Sequence, residues 1–439
     1  MTEGSKKCGS PTVVGAVEQY EKNIVNRLGP GLITGAADDD PSGIATYSQV
    51  GAQFGFGMLW TMLFTFPLMA AIQEICARLG RITGVGIAAN LKKCYPRPAV
   101  YGVILMLSIA NVFNLGADIS AMAAAAQLLF GGIPSLYALL FGGCSLVLQI
   151  VFPYRRYVGY LRFLTWSLFA YVATVFVVPV PWGTVLRSTV IPSISFQATY
   201  LMALVGVLGT TISPYLFFWQ TSQEAEEVRI DKKEAPLKKK PSGALMHFRR
   251  IALDTRIGMA VSNLIAFFII LTTAVTLHTL GNSEAIQSSA DAARALRPLA
   301  GNLAFSLFAM GVVGTGMLAV PVLAGSTAYA VSEAFRWRAS LEHKPHEASK
   351  FYLVLLGATI MGVLLDFLGI DPIRSLFLSA VLNGVVAAPL MIMIMLMSEK
   401  KLIVRQFRLP LYLRIGGWVA AGTMLLASLF FLFSAVRQL

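Results

Sequence analysis

The chain is poor in charge. Only 13% of its 439 residues are Asp, Glu, Lys or Arg, while 56% are hydrophobic, a balance that excludes an ordinary soluble globular protein. Cysteine is scarce too: Cys8, Cys76, Cys94 and Cys144 show no CxxC spacing, which leaves neither a disulfide framework nor a thiolate metal site to argue for, and they read as small apolar filler. The four histidines have no HExxH or comparable spacing, and no GxSxG, P-loop or other catalytic signature occurs, so neither an enzyme nor a cofactor is expected. Acidic residues number 22 against 35 basic ones, a net charge of +13. That surplus does not gather on one soluble face, as nucleic-acid binding would need, but lies between hydrophobic segments. Its expected partner is the lipid bilayer, not nucleic acid.

What the chain does have is a succession of apolar runs of about 20 residues, the length that crosses about 30 Å of hydrocarbon. Eleven spans are expected, over 29–56, 58–79, 98–130, 134–153, 158–179, 199–222, 252–280, 300–336, 350–369, 372–397 and 414–436. The opening 27 residues are polar and read as a short tail with one interfacial helix, not as a cleavable signal. With that tail in the cytosol, 30 of the 35 Lys and Arg fall in inner segments, and only Arg187, Arg294, Arg297, Arg374 and Arg437 fall outside. The positive-inside rule then predicts an integral, multi-pass protein of the cell membrane with a cytosolic N-terminus. The longest inner loop, "EAEEVRIDKKEAPLKKKPSG", reads as solvated and flexible.

Two spans carry helix-breaking clusters at corresponding places. In the first, "LITGAA" is too short to cross alone and "DDDPSG" cannot continue a regular helix, because Pro41 lacks an N–H, clashes with the preceding turn and pushes Asp40 out of the α region. In the sixth, "GVLGTTISPYLFFW" puts Ser213-Pro214 at mid-span. One such proline alone reads as an ordinary kink. Two in register predict an all-α, LeuT-like fold of two inverted five-helix repeats, with a binding site at the bilayer midplane between the unwound stretches. The expected layout is a tail over 1–28, a first repeat over 29–179, a second over 199–397, and a loop with an eleventh helix over 398–439.

An ionised Asp near the bilayer centre costs at least about 2.5 kcal/mol, and no Lys or Arg lies at matching depth in the first, third or sixth span. A cation is the expected compensation. Asp40, immediately before the break, is the best candidate for a direct ligand, because the chain there also exposes carbonyls. Asp38 and Asp39 point elsewhere around the turn, at about 100° per residue, and belong to a surrounding shell or vestibule. Asp118 in "NLGADISAM" is either an ion or proton path element or a hydrogen-bonded structural carboxyl. Glu74, Glu224, Glu226, Glu227 and Glu333 sit near inner helix ends and are expected to be mostly solvated, with His278 structural or exposed. The "GVVGTG" run permits close helix approach, and the methionines of "PLMIMIMLM" read as packing, not as a soft-metal ladder.

The opening segment "LGPGLITGAADDDPSGIATYSQVGAQFGFGMLW", followed by "ARLGRITG" and "YPRP", resembles the Nramp family of divalent-metal transporters, whose first helix is broken at a DPGN motif and whose sixth carries an MPH motif. The similarity runs from about residue 28 through the tenth helix, later helices matching mainly in pattern. By that resemblance the family aspartate falls on Asp40, a carbonyl ligand on Ala37, the asparagine on Gly43, a second carbonyl on Thr210, the sulfur ligand on Ser213 and the histidine on Tyr215. The third-helix aspartate matches Asp118, whereas two glutamates often found around it fall on Asn111 and Ala121. Losing the thioether removes a filter for softer metals, and Gly43 removes a side-chain ligand and makes room, which suits Mg²⁺, an ion that keeps its waters. The pattern is closest to the Nramp-related magnesium transporter branch, which is thought not to couple transport to protons.

The expected function is inward movement of a partly hydrated divalent cation, Mg²⁺ and/or Mn²⁺, by alternating access and without proton coupling. Asp40 supplies charge, Ala37 and Thr210 carbonyls, Ser213 a hydroxyl, and Gly43 with Ser42 room and polarity; Asp39, Tyr215 and Asp118 stand around them. The membrane potential favours this by about 4.6 kcal/mol for two charges across 100 mV, and a monomer suffices. The rivals are a proton-coupled Mn²⁺/Fe²⁺ transporter, a sodium-coupled organic-solute symporter, a channel and, with least support, a membrane-embedded enzyme.

Overall fold

The computed structural model describes residues 30–152, 165–230, 234–278, 286, 288–342 and 344–436. The tail and most of the first half of the fifth expected span lie outside them. The described chain is helical: α1 (Pro30–Asp38), α2 (Pro41–Phe54), α3 (Trp60–Thr83), α4 (Ile87–Cys94), α5 (Arg97–Phe130), α6 (Pro134–Val151), α7 (Phe169–Val175) and α8 (Trp182–Val190). There follow α9 (Ala198–Thr211), α10 (Pro214–Ile230), α11 (Ala244–Thr273), α12 (Ala304–Phe335), α13 (Ser349–Asp366), α14 (Pro372–Ser398), the single turn α15 (Lys401–Val404) and α16 (Leu411–Val436). Among the described residues nine helices are long and apolar enough to cross a membrane, counting α9 and α10 as one. The first expected span is present as α1 and α2, each too short alone, and the fifth is represented by α7.

Proline does not explain the two breaks by itself. Pro67, Pro321 and Pro389 sit inside continuous helices. What distinguishes Pro41 and Pro214 is that neighbouring side chains terminate the helices there. Asp40 has extended backbone (φ −69°, ψ 168°) and its side chain caps α2 at the Gly43 N–H, with Pro41 opening the helix, the position where its missing N–H costs nothing. At the second break the Ser213 hydroxyl donates to the Gly209 and Thr210 carbonyls at 2.9 and 2.7 Å, satisfying acceptors that the end of α9 would leave bare.

The interrupted helices lie at the centre. Of an 18-residue apolar stretch in each, 89% is buried in α9–α10 against 22% in α6 and 28% in α16, whose exposed leucines and phenylalanines face what must be lipid, since such a surface is untenable in water. Close approach of backbones makes this centre possible. A Cβ on Gly35 would lie 2.4 Å from the Gly258 carbonyl, and one on Gly209 would lie 2.1 Å from the Ala380 carbonyl, so α1 crosses α11, and α9 crosses α14, at glycine contacts. Asp254 on α11 accepts from the Gly31 and Leu32 N–H groups at 2.8 and 3.2 Å, capping the short α1. The methionine run behaves as packing: Met391, Met395 and Met397 are buried. So does the glycine run, where Gly311 abuts Leu168 and Gly316 abuts Met122.

One expectation fails. Glu74, Glu224, Glu226 and Glu333 are buried, not solvated, because arginines and N–H groups from other elements close over them. Glu74 pairs with Arg78 at 2.7 Å and Arg256 at 3.0 Å; Arg250 reaches Glu224 at 2.7 Å and Glu227 at 3.2 Å. Glu333 accepts from the Gly86 N–H at 3.0 Å at the start of α4, and Glu226 is held by Tyr329 and Ser340. These pairs also let α11 begin at Ala244, ahead of its apolar run, by neutralising Arg250 and Arg256. Nor is the long loop simply solvated: 224–230 continues α10, and the Leu237 and Lys238 N–H groups donate to the Arg81 and Ile82 carbonyls at 3.2 and 3.0 Å. Its residues 231–233 lie outside the described set.

The glycine crossing gives a direct test. Gly209→Ala should lose about 1–3 kcal/mol through overpacking, read as a lower melting temperature of the detergent-purified protein. Gly143→Ala, where a Cβ meets nothing within 4 Å, should leave it unchanged or slightly raised.

Candidate metal site

The two breaks face each other. The Tyr215 hydroxyl, in the first turn of α10, lies 3.0 Å from the Ala37 carbonyl and 3.3 Å from Asp40 Oδ2, and a Cβ on Gly43 would come within 3.2 Å of Thr210 Oγ1. Ala37, Asp40, Ser42, Gly43, Thr210 and Tyr215 are thus gathered from both interruptions, while Ser213 lies beside them in sequence with its hydroxyl turned onto the Gly209 and Thr210 carbonyls; every one of the seven is buried. Gly43 does not open the room expected of it: Thr210 and the Tyr47 ring, the latter 3.3 Å from the same point, already occupy that side.

Asp40 is buried without a basic partner, yet four neutral donors compensate it. Oδ1 accepts from the Ser42 hydroxyl at 2.6 Å and the Gly43 N–H at 2.8 Å; Oδ2 accepts from Asn114 Nδ2 at 3.1 Å and faces the Tyr215 hydroxyl at 3.3 Å. The carboxylate also sits at the positive end of α2. This corrects the premise that only a cation could offset its burial. A carboxylate offers about four lone-pair directions, and all four are addressed, so a metal ion must take the place of a donor. Tyr215 is the donor with an alternative: it carries one proton, and the Ala37 carbonyl at 3.0 Å is the nearer acceptor.

Asp38 and Asp39 are buried rather than lining an open vestibule. Ser262 on α11 stands between them, its hydroxyl 2.7 Å from Asp38 Oδ2 and 3.0 Å from Asp39 Oδ1. Asp118 is fully buried, in the electrostatic field of Asp40 and with the Ser42 backbone N–H as its nearby donor, and among the described residues no basic side chain pairs with it. Asn111 donates to Thr327 Oγ1 at 3.0 Å, joining α5 to α12. His278 is structural, its ring Nδ1 being 2.8 Å from the Ala52 carbonyl. Among the described residues no three His, Cys, Asp or Glu side chains group as a metal cage. An ion at Asp40 would depend on carbonyls, hydroxyls and its own waters.

Two neighbours went unnoticed in the sequence. Asn114 bridges Asp40 to α14 through the Ser379 hydroxyl, which donates to its Oδ1 at 2.7 Å; its place one helical turn before Asp118 was the available signal. Ser262 carried none, since only the crossing of α1 and α11 brings it to the acidic run.

Comparison with known proteins bears on the same region. The model of the Nramp family, natural resistance-associated macrophage protein-like, matches residues 31–434. A divalent metal cation transporter MntH of Klebsiella pneumoniae is 24% identical over 404 residues, 89% of this chain and 90% of the relative. One of Verminephrobacter eiseniae is 25% identical over 348 residues, 76% and 75% of the two chains. Among solved structures, the Eremococcus coleocola manganese transporter superposes with a TM-score of 0.74 at 16% identity, over 95% of this chain and 88% of that one. The nucleobase-cation-symport-1 family transporter Mhp1, in a closed conformation, gives 0.57 at 15%, over 94% and 93%. At such identities the structural likeness establishes the fold, a broken-helix transporter fold.

Removing the shared donor at the acidic run should be costly. Ser262→Ala is expected to destabilise the protein by about 1–3 kcal/mol, the penalty of unsatisfied buried acceptors. Adding Asp38→Asn should recover part of the loss, a non-additivity that a double-mutant cycle by thermal unfolding would reveal.

Proposed function

The chain belongs to the Nramp family, and we propose that it carries a divalent cation, Mg²⁺ and/or Mn²⁺, into the cytosol by alternating access without proton coupling. One observation carries this reading: Asp40, the carboxylate joined across the two helix breaks, is met by two hydroxyls, a backbone N–H and an amide and by no sulfur or basic group, and by the family resemblance Ser213 stands where a thioether would select softer metals. Oxygen donors suit Mg²⁺ and Mn²⁺. The relatives named above are called divalent metal cation or manganese transporters, which supports a metal cargo and offers nothing for an enzyme.

In this mechanism the incoming ion meets Asp40 with its hydration shell partly in place. Tyr215 yields Oδ2 and keeps the Ala37 carbonyl, or yields both as the ion draws on that carbonyl as well. Thr210 and Ser213, at the end of α9, would offer carbonyl and hydroxyl oxygens once the ion replaces the Ser213 hydroxyl on the Thr210 carbonyl, at a helix end whose dipole is negative and favours a cation. Because α1 and α9 end here while α2 and α10 begin, movement of one half-helix against its partner changes access on one side of the ion without dismantling the other. A second reading, proton-coupled Mn²⁺/Fe²⁺ uptake, is favoured by one feature: a second fully buried carboxyl, Asp118, within the electrostatic field of Asp40.

Equilibrium titration of the purified protein should give Mg²⁺ and Mn²⁺ binding that Asp40→Ala abolishes; equal affinity in both proteins rules the site out. Liposome uptake with an internal pH dye separates the two readings, since Mg²⁺ transport without acidification is expected, and Cd²⁺ preference with acidification would favour proton coupling. Ser213→Met should shift preference toward Cd²⁺ over Mg²⁺. Tyr215→Phe should tighten divalent binding by about tenfold or more, the worth of one hydrogen bond to a charged acceptor no longer displaced, and a weakening would show that the tyrosine helps hold the ion instead.

A further inference from the structure

Far from the helix breaks in sequence, three loops converge through bonds made by cations. The Lys238 ammonium donates to the Leu402 carbonyl at 2.5 Å, the Arg405 guanidinium to the Lys238 carbonyl at 3.0 Å, and the Lys400 ammonium to the Cys94 carbonyl at 3.1 Å. Lys400 also lies over the Tyr95 ring, 4.9 Å from its centre, and Lys93 at the end of α4 donates to Asn90 Oδ1 at 3.3 Å. Four cations therefore share one small region. Among the described residues none of them joins an ion pair. Glu399, the acid of that turn, is engaged by the Trp418 indole N–H at 3.1 Å and by Arg414 at 3.6 Å.

Burial pushes the Lys93 and Lys238 ammonium groups below the ordinary lysine range, and like charge adds to it: Lys238 acts on Lys93, and Arg405 on Lys238. Cys94 opposes the effect at both, and Glu333 opposes it at Lys93. Each ammonium has three donors and the guanidinium five, so carbonyl bonds leave most of them free. Unspent donors and mutual repulsion are what a multiply accepting anion relieves. The type of anion follows from the turn itself. Leu402 is 60% exposed between Lys401 and two buried residues, Ile403 and Val404. An apolar side chain set among cations at the end of membrane-length helices gains nothing from a soluble ion but is covered by an acyl chain.

We propose that Lys93, Lys238, Lys400 and Arg405 form a headgroup site for an anionic phospholipid, with phosphate among the four cations and the start of an acyl chain along Leu402. The lipid would link the loop after α10 to the turn after α14, tying the half-helix at the second break to the leaflet that holds it.

The test uses the full chain in mild detergent, titrated with phosphatidylglycerol, phosphatidylcholine or inorganic phosphate, with thermal stability and native mass spectrometry as readouts. Phosphatidylglycerol should raise the melting temperature and remain bound as one tight equivalent, while the other two do neither. Lys238→Gln/Lys400→Gln/Arg405→Gln should weaken that binding about tenfold or more. The charge-matched Arg187→Gln/Lys344→Gln/Arg374→Gln should bind as the unaltered protein does. Equal stabilisation of both triple variants would overturn the proposal in favour of diffuse attraction, and equal stabilisation by inorganic phosphate would overturn it in favour of a soluble-anion site. Should the first variant be poorly folded, Lys400→Gln alone is expected to weaken binding measurably, and an unchanged affinity overturns the proposal as well.

Discussion

A buried carboxylate without a basic partner sets the terms for the centre of this protein. Asp40 is tolerated because the break at which it sits brings donors to it: its own helix N-terminus, the Ser42 hydroxyl two residues on, Asn114 from α5, and Tyr215 from the opposite break. Every one of these requires the neighbouring elements to be where they are. The α5 helix must bring Asn114 to the first break, α14 must hold Asn114 through Ser379, and α10 must begin where Tyr215 reaches across. The helix interruptions, the glycine crossings and the site are accordingly one structural fact.

A site satisfied by neutral donors has a different chemistry from an unfilled anionic pocket. An unpaired buried charge would bind any cation strongly and release it slowly. On the proposed reading an arriving ion would exchange with hydrogen bonds, each worth about 1.5–3 kcal/mol to a charged acceptor, which would keep entry and departure within reach of one another. That balance suits a carrier, whose cargo must leave as readily as it arrives, and Tyr215 gives it a physical form because its proton has a second acceptor ready.

Charge is handled otherwise at the far ends of α3, α10 and α11, where Glu74, Glu224 and Glu226 are as deeply buried as Asp40. Glu74 and Glu224 are paired with arginines, and Glu226 is held by a tyrosine and a serine. Breaking a buried pair costs far more than forming it gains, so this lattice fixes which helices stay together. It involves α3, α10 and α11, of which α10 and α11 pack against α1, whose own N-terminus hangs on Asp254 of α11.

The sequence by itself determined the class, most of the spans and the two breaks, because those follow from local quantities: run length of apolar residues, proline without its N–H, and a carboxylate cluster where charge is scarce. It also singled out Asp40, Gly43, Thr210, Ser213 and Tyr215, which lie close to the breaks and need no long-range knowledge. It misread the glutamates as solvated, since a Glu near a helix end looks the same whether or not an arginine 182 residues away, as Arg256 is from Glu74, closes over it. Only the tertiary structure decided that Asp40 is answered by four donors, that Ser262 stands between Asp38 and Asp39, and that Gly43 meets Thr210 and Tyr47 instead of empty space. Those are matters of which helices cross at a given depth, and crossing is settled by packing between segments hundreds of residues apart, which no local pattern encodes.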